Sequence, residues 1–203
     1  MIAPSVFVHD HALCETDDVG ARTRIWAFAH ILDGARVGAD CNICDGVFIE
    51  SGAVVGDRVT VKNNVLVWDK VTIEDDVFLG PGVVFTNDPT PRAEIKKDQD
   101  ELAPTLVGRG ATIGANATIV CGVYIGSYAF IGAGSVVTRT VPAHALVVGN
   151  PTRQVGWVCI CGLKLSESLD CGCGRSFHSV EGGLARVAAG KDSGSMSEPE
   201  VVY

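Results

Sequence analysis

Four cysteines near the carboxy terminus, Cys159, Cys161, Cys171 and Cys173, form two close pairs, CxCG and CxCGR, separated by nine residues. Two such pairs across a hairpin-sized span can supply four thiolates to a tetrahedral Zn²⁺, and they are the candidate metal ligands. A second group with chemical potential is Asn87-Asp88. It opens the stretch 88–106, DPTPRAEIKKDQDELAPTL, which carries Pro89, Pro91 and Pro104. Arg92, Lys96 and Lys97 in that stretch can hold anions through charge-assisted hydrogen bonds. An Asn-Asp-Pro run also initiates turns, so the three residues can be read either way.

The elements that position these groups follow from one period. An apolar residue falls at every sixth position from Phe7 and Leu13 through Val19, Ile31, Ile49 and Val67 to Phe85, and again from Val107 to Val137. Two residues before each lies a small or β-branched companion such as Ala29, Ala53, Val65, Val83 or Ala117. Neither a helix nor an alternating strand demands a repeat of six; a parallel β-helix does, because each rung is one short strand and one turn. His11 and Asp17 take companion places in the first rungs, so an irregular amino-terminal coil is expected. Phase is lost over 88–106, which marks a long loop leaving the coil, and such loops are more often functional than not. Cys41 and Cys44 make a further CxxC, but the register sends them to opposite sides, and they read as structural.

Composition bounds the rest. With 24 Gly and only 6% aromatic residues, the chain suits columns of Val, Ile and Ala joined by frequent turns. A formal charge of −8 argues against a general nucleic-acid or anionic-membrane surface. No apolar run is long enough for a membrane insertion, and a cytoplasmic protein with reduced or metal-bound cysteines is expected. The expected organisation is an all-β domain over 1–156, a Cys-rich zinc-ribbon-like appendage over 157–180, and a disordered tail over 181–203.

KNNVLVWDKVTIEDDVFLGPGVVFTND, TLVGRGATIGANATIVCGVYIGSYAFIGAGSVVTRTVPAHALVVGNPTRQVGW and the early RIWAFAHI resemble the acetyl-CoA-dependent N-acetyltransferases of nucleotide-linked amino sugars. Among these the resemblance is to enzymes acting on UDP-2-acetamido-3-amino-2,3-dideoxyglucuronate in bacterial surface polysaccharide (lipopolysaccharide O-antigen) assembly. It covers about residues 5–158 and implies a left-handed β-helix with three rungs per coil, a homotrimer, and active sites at subunit interfaces roofed by the loop. Residues 18 apart should then stack, placing Ser51, Asp69 and Asn87 in one column, with Cys121 and Arg139 beyond the loop.

Asn87 stands at the loop exit, where its amide or backbone can orient the amine or the thioester carbonyl of that reaction, with Asp88 in second place as a proton acceptor. Substrate contacts are expected from His30, Lys62, Asn63, Asn64, Trp68, Glu74 and Arg92, with Trp68 as an exposed stacking platform. Acetyl-CoA is expected along the later coils, past Gly114, Ala115, Gly122, Gly132 and Ala133, with Arg139 and Arg153 meeting its phosphates. Relatives often carry a zinc-ribbon-like tail with a two-residue gap in the second Cys pair; this chain has one residue there.

None of His9, His11, His30, His144 and His178 lies in the loop. A hydroxyl acceptor needs a base, whereas an uncharged amine is already nucleophilic, so this distribution favours N- over O-acetylation. An O-acetyltransferase of the same fold remains an alternative. So does a non-catalytic β-helix scaffold, although a scaffold gains nothing from a long charged loop. A carbonic anhydrase on this scaffold would need three convergent His, which the spacing does not provide.

Overall fold

The computed structural model describes residues 3–187. Its rungs are two- or three-residue strands that stack into three parallel sheets, the faces of a triangular prism. Sheet 1 runs from Phe7–Val8 through Arg24–Ile25, Thr60–Val61, Phe78–Leu79 and Phe130–Ile131 to Ala145–Val148. Sheet 2 includes His30–Ile31, Phe48–Ile49, Leu66–Val67, Val84–Phe85, Thr118–Ile119 and Val136–Val137. Sheet 3 includes Arg36–Val37, Val54–Val55, Val71–Ile73, Thr105–Val107 and Tyr124–Ile125. Pairings such as Leu66 with Phe48 and Phe78 with Thr60 set the coil at 18 residues.

The inward columns are the ones the period requires. Ile49, Val67 and Phe85 are fully buried in one stack, and Ala29, Ala53, Val65, Val83 and Ala117 fill the companion positions. Each corner needs a left-handed backbone residue, and the chain supplies one every six residues: Arg22, Phe28, Gly34, Asp40, Gly46, Gly52, Arg58 and onward. That conformation is strained for most side chains, which is why Gly, Asn and Asp recur there. At the corner between sheets 3 and 1 these residues also pair along the axis. Arg22 Nη2 meets Asp40 at 2.6 Å, and Asp76 accepts from Arg58 Nε at 2.6 Å and Arg109 Nη2 at 2.8 Å. The pairs are exposed and contribute little each.

The first coil departs from the expected phase. Phe7 pairs with Arg24 and Leu13 with His30, a spacing of 17, so the coil is one residue short. A slip of one residue exchanges the faces of a strand. Val8 and Cys14 therefore stack on Ile25 and Ile31, while Phe7 and Leu13, expected inside, are 43% and 52% exposed. The last coil is short by two: Ile125 bridges Val141, and Phe130 pairs with Leu146.

Between sheets 2 and 3 one coil is enlarged. Thr72 pairs with Leu106, 34 residues on instead of 18, so 16 extra residues leave at this corner. Pairing resumes at Thr105, which ends the loop at 104, two residues earlier than expected. Beyond Val148 the strand Arg153–Trp157 folds back antiparallel on Ala145–Val148. The appendage ends in a hairpin, Phe177–Val180 with Gly183–Arg186, whose Leu184 is buried against Phe177, Cys159 and Leu165. The expected disordered tail from 181 is thus corrected over 181–187, where an apolar hairpin face holds the chain; 188–203 lie outside the described residues.

Candidate active site

The loop exit is built by the corner after Val84–Phe85. Phe85 anchors the strand inside the prism, and Thr86 Oγ1 accepts from Cys121 N of the next coil at 2.9 Å. That bond fixes Asn87 above Cys121, in the column with Ser51 and Asp69. The Asn87 carbonyl accepts from Ala103 N at 2.8 Å, which clamps the two ends of the loop together. The half-buried Asn87 side chain makes no hydrogen bond among the described residues, so its amide is free to meet a ligand.

Asp88 is committed differently. Its carboxylate bonds Lys97 Nζ directly and accepts from Thr90 N at 2.8 Å. Lys97 also reaches Thr90 Oγ1 at 2.8 Å, so the three side chains tie the loop to itself. The Lys97 ammonium holds the Asp88 carboxyl below the usual carboxylate range, with the Thr90 amide adding to it and burial opposing. A carboxylate stabilised in this way is a weak proton acceptor. Lys97 is spent on this pair, whereas Arg92 and Lys96 are exposed and make no ion pair among the described residues.

The other expected site residues divide among corners. Trp68 shares the Asn87 corner, one coil away. It is not the exposed platform expected; it is half-buried against the core, its ring 5.4 Å from that of Phe48. Lys62, Asn63 and Asn64 lie at the corner between sheets 1 and 2, where Asn64 takes a left-handed turn conformation and Asn63 O accepts from Gly82 N at 2.9 Å. Glu74 lies at the third corner, where it accepts from Arg109 N at 2.7 Å, a structural bond remote from the loop. His30 projects from sheet 2 with Nε2 3.2 Å from Glu15 and its ring 5.7 Å from that of Phe48.

Gly114 and Gly132, expected to make room for a cofactor, have a nearer cause. A Cβ at Gly114 would lie 2.5 Å from Ala133 N, and one at Gly132 would lie 2.7 Å from Val148 Cγ1. Coil-on-coil approach requires these glycines, so their size alone says nothing of a ligand. Gly122 takes a left-handed turn beside Cys121, and Ala115 and Ala133 flank the glycines at the corner between sheets 1 and 2. Arg139 and Arg153 do converge. Both line one cleft at the carboxy-terminal end of the prism with Thr140, Pro142, Thr152 and Gln154. Two exposed guanidinium groups in one cleft suit phosphates.

Two contributors were not anticipated: Lys97 as the partner of Asp88, and Thr86 as the brace under Cys121. The position of Thr86 was recoverable from the period, since it directly follows inward Phe85 and so lies outward at the loop corner; its bond to Cys121 N was not. Lys97 was not, because the loop has no register.

A β-helix of six-residue rungs, one corner loop and an arginine-lined cleft together define a hexapeptide-repeat transferase. The family model described as "Bacterial transferase hexapeptide (six repeats)" matches residues 104–139. Over 184 residues the chain is 50% identical to dTDP-3-amino-3,6-dideoxy-alpha-D-galactopyranose 3-N-acetyltransferase of Aneurinibacillus thermoaerophilus, covering 89% of this chain and 95% of that protein. Two solved structures are similar in fold. A putative acetyltransferase of Bacillus cereus has 21% identity and a TM-score of 0.53, over 76% of this chain and 78% of that one. A hexapeptide-repeat acetyltransferase of Vibrio cholerae, complexed with acetyl coenzyme A, has 25% identity and a TM-score of 0.51, over 62% and 72%. The chain belongs to the left-handed β-helical, hexapeptide-repeat N-acetyltransferases, and it is an acyltransferase.

Proposed function

We propose that this chain transfers the acetyl group of acetyl-CoA to the amino group of a nucleotide-linked amino sugar, in the assembly of bacterial surface polysaccharide. The near-full-length 50% identity to an enzyme named for 3-N-acetylation of a dTDP-linked amino sugar carries this reading. It favours a 3-amino group as the acceptor. Within that class UDP-2-acetamido-3-amino-2,3-dideoxyglucuronate is the second candidate, and the unpaired Arg92 on the loop is a suitable partner for its carboxylate.

In the reaction the amine nitrogen attacks the thioester carbonyl carbon, the carbon–sulfur bond breaks, and the departing CoA sulfur takes up the proton that the nitrogen loses. The chain contributes position and polarisation in preference to a base. Asn87 is placed to hydrogen-bond the carbonyl or the amine. Asp88, neutralised by Lys97, shapes the loop. The Arg139–Arg153 cleft takes the phosphates of acetyl-CoA.

The site is completed by a second copy of the chain. Trp68, Asn87, Asp88, Gly122 and Arg139 lie at the corner between sheets 2 and 3, and Lys62, Asn63, Asn64, Ala115 and Ala133 at the corner between sheets 1 and 2. A homotrimer that sets one of these corners against the other in the next chain joins the two halves. The outer face of sheet 2 between them presents His30, Phe48, Leu66 and Val84, an apolar strip suited to such an interface. The use of acetyl-CoA and a sugar nucleotide supports a cytoplasmic reaction.

The test is a panel of dTDP- and UDP-linked amino sugars with acetyl-CoA, read by thiol release and product mass. Turnover confined to a 3-amino sugar nucleotide is expected. Turnover of hydroxyl acceptors only, or of none, would overturn the reading.

A further inference from the structure

The four thiols of the appendage are gathered closely, with all Sγ atoms within 4.8 Å of one another. Cys159 and Cys173 Sγ are 3.6 Å apart, as are Cys161 and Cys171 Sγ. A disulfide would need about 2.05 Å. Four sulfurs each about 2.3 Å from a tetrahedral ion lie roughly 3.8 Å apart, so the spacing is that of a coordination shell.

The same turn is built twice to present them. Cys159 O accepts from Gly162 N at 2.9 Å and Cys159 N donates to Leu163 O at 2.8 Å. Cys171 O accepts from Gly174 N at 2.9 Å and Cys171 N donates to Arg175 O at 2.8 Å. Gly162 and Gly174 share left-handed φ values of +89° and +84°. This repetition shows how the one-residue gap is accommodated: both pairs have it, and both use the following glycine to close the turn. Each turn offers one buried thiol, Cys159 or Cys171, and one exposed, Cys161 or Cys173. Arg175 Nη1 donates to Cys173 Sγ at 3.1 Å, placing a positive charge beside what would be a doubly negative tetrathiolate site.

The appendage has little else to hold it. Its own buried cluster is Cys159, Leu165, Cys171, Phe177 and Leu184. Units of about 40 residues or fewer usually need a disulfide or a metal to fold. Yet this unit closes the end of the prism. Ala143 N donates to Gly182 O at 2.9 Å, His144 Nδ1 lies 2.9 Å from Val158 O, and the His144 ring packs 4.9 Å from Phe177 and 5.3 Å from Tyr128.

We propose that Cys159, Cys161, Cys171 and Cys173 bind one Zn²⁺, and that this ion holds the cap that seals the carboxy-terminal end of the β-helix through Ala143 and His144. The site is structural: all four positions are protein thiolates, which leaves no open coordination place for a substrate.

The full chain, purified reduced and without chelator, should carry one zinc per chain by native mass spectrometry. Co²⁺ exchanged into it should give the visible bands of a tetrahedral thiolate complex. Cys159→Ser and Cys173→Ser should each lower zinc content at least tenfold. Should those variants fail to fold, reversible stripping and reloading of the wild type supplies the same readout. Hydrogen exchange after stripping should rise across 158–187 and at 143–148, and stay unchanged in the coils from 24 to 85. Reduced wild-type protein without stoichiometric metal, bound iron in place of zinc, or two disulfides in the freshly isolated chain would overturn the zinc assignment. Unchanged protection at 143–148 after stripping would overturn the cap.

Discussion

Replacing Asn87 by alanine should separate catalysis from stability at the loop corner. The Asn87 side chain has no hydrogen-bond partner among the described residues, and the bond that clamps the loop ends runs from Ala103 N to its backbone carbonyl. Truncation therefore strands no buried group and breaks no internal bond. Stability should change by no more than about 0.5 kcal/mol, a Tm shift within about 2 °C for a chain of this size. If the amide polarises the thioester carbonyl or orients the amine, its loss should lower kcat by about 10²–10³-fold. Thiol release with saturating acetyl-CoA measures the rate, and calorimetry on the same sample measures Tm. A rate within threefold of wild type would show that the free amide has no part in the transition state. A Tm fall of roughly 10 °C would point instead to a structural role, since surface changes without lost contacts rarely reach that size.

Phe85→Ala removes the largest side chain of the core beside the loop exit. It should cost about 3–5 kcal/mol, a Tm fall of roughly 6–20 °C; calorimetry showing less than about 2 °C would contradict the inward stack. Arg139→Ala and Arg153→Ala should each raise KM for acetyl-CoA about tenfold or more, the scale of a lost bond to a charged group, and leave KM for the sugar nucleotide unchanged. An unchanged KM for acetyl-CoA would remove the cleft from the donor site. Because the folded pKa of Asp88 is depressed, the stability contributed by its pair with Lys97 is present above the ordinary carboxylate pKa and lost as pH falls through the folded value. Loop cleavage by an acid-active protease should accordingly rise below about pH 4, while Lys97→Met should be cleaved readily at neutral pH by a neutral protease.

The period of six carried most of the fold, because every inward residue must repeat to fill a prism of constant section. It failed where the coil length changed. One residue fewer before Val19 moved Phe7 and Leu13 outward, and nothing in their type could reveal it, since Val8 and Cys14 are also apolar. The column of Asn87 was legible for the same stacking reason. Position along the axis, however, is not position around it. Glu74 lies within one coil of Asn87 but at another corner, bonded to Arg109 N. Trp68 looked like an exposed ring because it follows an inward residue; its indole instead folds over Phe48. Gly114 and Gly132 looked like space for a ligand, but close approach of the next coil already requires them, so their size carries no signal of one. The second strand of the closing hairpin, Gly183–Arg186, was hidden because its Gly-rich surroundings resemble a solvated tail, whereas Leu184 gives it a buried side chain.

The central claim is that the acceptor amine attacks without a protein base, and the dependence of kcat/KM on pH tests it most directly. Asp88 is held below the ordinary carboxylate pKa by Lys97 and stays ionised across the working range, so it adds no inflection there. With a 3-amino sugar nucleotide, log kcat/KM should rise with pH through the pKa of the substrate amine and then level off, in the wild type and in Asp88→Asn alike. A second ionisation belonging to the protein, or a profile that flattens in Asp88→Asn, would contradict the account.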